Sequence, residues 1–170
     1  MKGFILRITF ALVAFSFFTS LNAQDYVAVA KNGFVYDEAN AKYITVNQNN
    51  DDVAVIPGMV FVTTQHTPGW YKIEYSPGIH AFIPDQITAS SLKPLKAGVY
   101  ELANLPGKKI EVQGSGDNWN ALVDGESFQG VKSEEILVFV NNNKNIAYSL
   151  VDLGNGPIAI TYDNSTTKFF

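Results

Sequence analysis

The sequence predicts an all-β protein built as two small antiparallel β bodies, and three observations carry that expectation. From Asp25 onward no stretch of about 11 residues sets apolar side chains at helical spacing. Short runs of β-branched and aromatic residues recur instead, broken by turn pairs such as Pro57-Gly58, Pro77-Gly78 and Asp124-Gly125. Alternation gives runs such as residues 70–75 two faces, as in a half-buried strand.

In chain order the runs fall at residues 26–30, 33–36, 53–56, 59–63, 70–75 and 79–83, then at 99–102, 109–113, 119–123, 127–131, 136–140, 146–150 and 158–162. In the fifth run, Tyr71, Ile73 and Tyr75 share one face, the core side, and Trp70, Lys72 and Glu74 share the other. Asp124-Gly125 suits a type I′ hairpin, which needs positive φ at both central residues. The tract from Asn141 to Asn145 reads as a second hairpin loop, where amide side chains satisfy turn backbone. Phe169 and Phe170 are expected to dock onto the body. Between Gln86 and Lys96 alternation lapses and Thr88, Ser90, Ser91 and Pro94 suit a surface crossing, so the domain boundary is set between residues 92 and 93.

The first 23 residues carry the localisation. Lys2 and Arg7 flank an apolar run, residues 4–18, which is shorter than the roughly 20 residues needed to span a bilayer. Small and polar residues lead to Ala23, the expected cleavage point of a signal peptide at 1–23. Domains are then expected at 24–92 and 93–170, in an exported protein, periplasmic or extracellular, without a membrane anchor after cleavage.

Composition narrows the chemistry. The chain has no cysteine, so neither disulfides nor a thiol nucleophile is available. Losing Lys2 and Arg7 from twelve basic residues leaves ten against sixteen acidic ones, a net charge of −6 that disfavours nucleic acid. The one arginine leaves with the leader, and no guanidinium remains to clamp phosphate or carboxylate. His66 and His80 match no zinc-ligand spacing, and no metal or cofactor is expected.

No catalytic residue is assigned. Gly114-Ser115-Gly116 lacks the nucleophile elbow and reads as a hairpin loop. Asp51-Asp52 and Glu134-Glu135 are adjacent pairs, which in strands point to opposite faces and in loops are solvated. Asp117-Asn118-Trp119-Asn120 and Asn49-Asn50-Asp51-Asp52 lack the acid and glycine order of a calcium loop.

An internal repeat appears at an offset of 49 residues. It carries Pro57-Gly58 onto Pro106-Gly107, Trp70 onto Trp119 and Ile87 onto Ile136. On this reading Trp70 and Trp119 are symmetry-related packing residues, or else Trp70 lines an aromatic groove.

Residues 26–89 resemble the bacterial SH3-like family of small β-barrels. The matching parts, in order, are Pro57-Gly58 before Met59-Val60-Phe61-Val62, then Gly69-Trp70-Tyr71-Lys72-Ile73, then Ala81-Phe82-Ile83, then the turn Asp85-Gln86-Ile87. Ala81 and Phe82 replace the family's usual Gly-Trp, and Gly33-Phe34-Val35-Tyr36 matches its opening strand only loosely. Through the offset the resemblance extends, in diverged form, to about residue 136, as tandem domains with extra strands. It implies a non-enzymatic binding or scaffolding module of the cell envelope, taking a cell-wall peptide or an envelope protein, with Tyr36, Tyr43, Trp70 and Lys72 as the ligand-binding candidates. The alternatives are a hydrolase using carboxylates gathered from distant strands, and a secreted inhibitor or complex subunit.

Overall fold

The computed structural model describes residues 25–37, 39, 53–76, 79–141, 143–144 and 146–163. The leader, Tyr43, Asn49 to Asp52 and the terminal phenylalanines lie outside the described residues.

The chain is all-β, and each expected run holds a strand. The first half contains β1 (Asp25–Ala28), β2 (Gly33–Phe34), β3 (Ala54–Val55), β4 (Val60–Thr67), β5 (Trp70–Ser76) and β6 (Ile79–Pro84). Four of these form an antiparallel sheet in the order β1-β4-β5-β6, and β2 pairs with β3. Two isolated bridges wrap its edges: Tyr36 bonds Phe82 on β6, and Thr88, just after the 3₁₀ turn Asp85–Ile87, bridges to Val29 beyond β1. Val27, Val29, Val35, Val55, Phe61, Ile73 and Ile83 fill the enclosed core.

The second half contains β7 (Gly98–Glu101), β8 (Lys109–Ser115), β9 (Asn118–Val123), β10 (Glu126–Ser133), β11 (Ile136–Val140), β12 (Ile146–Asp152) and β13 (Pro157–Asp163), forming one meander in chain order. Seven antiparallel strands leave the first and last parallel, and a parallel bridge from Leu102 to Ala159 nearly closes the sheet into a barrel. Beyond that bridge the Asn104 side chain continues the ladder. Its amide donates to the Thr161 carbonyl at 2.7 Å, and its oxygen accepts from the Thr161 N–H at 3.1 Å. Asp124 and Gly125 take φ of +51° and +81°, the type I′ turn expected of them.

The offset of 49 carries β4, β5 and β6 onto β8, β9 and β10. Their continuations differ, because β6 runs into a 3₁₀ turn whereas β10 turns at Glu134-Glu135 and pairs again with β11. Trp119 is a core residue of the barrel, its indole N–H donating to the Gly116 carbonyl at 2.7 Å. Trp70 is only half-buried, on the outer face of β5. The two tryptophans share a register position and have different environments.

The strands β11 and β12 are buried along nearly their whole length, because each serves two cores. Leu137, Phe139, Tyr148 and Leu150 point into the barrel. Ile136, Val138 and Val151 point the other way and pack on Ala28 and Val60 of the first sheet. Ile160 of β13 enters the first sheet's own core. Residues 91–96 cross between the halves without regular structure, with Leu95 buried in the barrel core and the Lys93 N–H donating to the Asp152 carbonyl at 2.9 Å.

Tyr148 lies edge-to-face on Phe128, centroids 4.9 Å apart, and burial raises its phenol above the ordinary 10.0 despite an opposing hydrogen bond with Thr161. The folded barrel therefore favours the protonated phenol. This contribution is fully present below the unfolded value and fades as pH rises through the folded one. Urea unfolding should show stability falling as pH rises above about 10, with a shallower fall in Tyr148→Phe. Equal falls in both proteins would exclude Tyr148 as the source.

Candidate functional site

The hairpin β5–β6 presents an outer face, opposite the side on which Ile73 and Ile83 enter the core. Alternation sends Ile73 inward, fully buried, and leaves Trp70 and Lys72 on the opposite side. Cross-strand register then sets Trp70 opposite Pro84 and Lys72 opposite Phe82. From the other flank Tyr36 reaches the same face, held by paired 2.9 Å backbone bonds with Phe82. The Tyr36 and Trp70 rings meet edge-on, centroids 5.3 Å apart and planes at 85°, the arrangement favoured by aromatic quadrupoles.

Three of the four sequence candidates, Tyr36, Trp70 and Lys72, are thereby brought together; the fourth, Tyr43, lies outside the described residues. Phe82 joins them and was missed. Lys72 is half-buried and makes no ion pair among the described residues. The result is a ridge of aromatic rings beside one cation, suited to gripping an extended, partly apolar chain.

A second group holds the end of this hairpin in place. Asp85 Oδ2 lies 3.0 Å from His66 Nε2 and accepts the Gly69 N–H at 3.1 Å, tying the 3₁₀ turn to the β4–β5 turn. His66 stacks on Tyr71 at 4.2 Å. With Gly69 fixed, the adjacent Trp70 is anchored at the start of its strand. His66 and Asp85 are 19 residues apart, a pairing that spacing alone does not reveal. Among the described residues no three His, Asp or Glu side chains gather as metal ligands, and no helix is long and apolar enough to cross a membrane.

A scan against protein-family models and searches of curated proteins and of solved structures found no match to this chain. The functional reading therefore rests on the geometry and on the residues themselves.

Proposed function

We propose that the chain is an exported, non-enzymatic binding module of the bacterial cell envelope that holds a cell-wall peptide or an envelope protein on the outer face of β5–β6. The observation that carries this reading is the edge-on pair of Tyr36 and Trp70, half-buried beside Phe82 and Lys72 and directed away from the core. Aromatic ridges of this kind supply large contact area at little conformational cost. The resemblance of residues 26–89 to SH3-like modules is supported by the strand order, the 3₁₀ turn after β6 and the return of Thr88 to Val29. Export rests on the leader-like residues 1–23.

Co-sedimentation of the mature protein with peptidoglycan, and pull-down from envelope extracts, test the proposal. Wild type should be retained by one of the two, and Trp70→Ala should lose retention. Because Trp70 stands outside the core, the variant should stay folded at a cost of about 1 kcal/mol in urea unfolding. Equal retention of both proteins, or none of folded wild type, removes the reading.

A further inference from the structure

A cleft of 340 Å³ opens where the two sheets meet, lined by Tyr26 and Ala28 of β1, Tyr71 of β5, the crossing segment with Ser90 and Ser91, and the turn Glu134-Glu135 between β10 and β11. It is distinct from the Trp70 ridge, because none of Tyr36, Trp70, Lys72 and Phe82 lines it. Its volume lies near the lower bound for small-molecule sites. We propose that this cleft binds a small organic ammonium ion.

The lining supplies what such an ion needs. Two tyrosines line it, the residue type whose ring attracts a cation, and two serines line it, whose hydroxyls can accept from ammonium N–H groups. Tyr71 is braced by the stacked His66, which Asp85 holds in turn. Glu135 lies 3.9 Å from Lys132 and is partly neutralised, whereas Glu134 makes no ion pair among the described residues. One negative charge at the mouth is thus left for a ligand to meet.

The backbone adds an independent observation. Glu134 sits at φ +51°, in the left-handed region, at the first position of a two-residue turn. In the two preceding two-residue turns of the same sheet, glycine or aspartate stands at the corresponding position, as Gly116 and Asp124. Glycine would sit there without strain. A glutamate at positive φ, without an ion pair among the described residues and lining a cleft with two tyrosines, fits a carboxylate kept for a ligand.

Titration of the mature protein by NMR tests this, with n-butylammonium as probe and n-butanol as its uncharged isostere. Saturable shifts should centre on the amides of Ser90, Ser91 and Glu135, with butanol weaker by about tenfold. Glu134→Gln should weaken ammonium binding about fivefold. Glu134→Gly should lose as much affinity while melting at a higher temperature, so the loss cannot be assigned to misfolding. Trp70→Ala should bind the probe normally, which separates this site from the ridge. Equal binding of butanol, full affinity in Glu134→Gln, or shifts that neither saturate nor cluster at the cleft would overturn the proposal.

Discussion

Replacing Gly58 with alanine is expected to destabilise the protein by about 3 kcal/mol, because two separate penalties fall on one atom. Gly58 holds φ at +94°, where any β-carbon is strained. That carbon would also stand 2.7 Å from Ile158 Cγ2 and 2.8 Å from Ile160 Cδ1, both on the barrel's last strand. The backbone has little freedom to retreat. The Gly58 N–H donates to the Val29 carbonyl at 2.9 Å, and its own carbonyl accepts the buried Ser149 hydroxyl at 2.9 Å from the opposing sheet. The steric part can be separated by a double-mutant cycle in urea unfolding. Ile160→Val removes Cδ1, so the pair Gly58→Ala with Ile160→Val should cost less than its two members summed. Strict additivity, or a cost under about 1 kcal/mol for Gly58→Ala alone, would show that the sheets accommodate each other at this contact.

This contact also marks the limit of what the sequence makes legible. The strands were readable from alternation and turn residues, because those signals act over a few neighbours. The docking of one half on the other was not. β11 reads as an unbroken apolar run and β12 as one interrupted only by Ser149 before Asp152, and such a run states that both faces are covered without stating by what. The offset repeat has the same limitation. It aligns β4–β6 with β8–β10, but the fate of each meander is decided by the next turn, a 3₁₀ turn after β6 and the Glu134-Glu135 hairpin after β10.

At the candidate site, alternation alone placed Trp70 and Lys72 outward, and the structure places Tyr36 beside them. Phe82 was hidden by an irregularity in register. Counting back from the pair Ser76 and Ile79 sets Lys72 opposite Ile83, yet the shift between Glu74 and Ser76 moves every later pair by one and brings Phe82 there. A bulge reverses which side chains share a face, and nothing in the residues of β5 and β6 announces one. The junction cleft is less legible still, since it joins β1, β5, the crossing segment and a turn more than 100 residues from Tyr26.

Leu150→Ala in the barrel core should cost about 3 kcal/mol and should weaken the first sheet by the same amount. Leu150 is fully buried among barrel side chains, so its truncation leaves a cavity with no route for collapse. Its neighbour Val151 is equally buried on the opposite face, in the core shared with Ala28 and Val60. The strand β12 is therefore common to both halves, and unfolding the barrel strips the first sheet of Ile136, Val138, Val151 and Ile160 together. Each half alone would hold a core too small to stand easily without disulfides, and the chain has no cysteine to form one. Native-state hydrogen exchange distinguishes the outcomes. If the sheets unfold as one unit, the slowest amides of β5 lose as much protection in Leu150→Ala as those of β11. Loss confined to β7–β13 would mean that the shared core holds the halves side by side without coupling their stability.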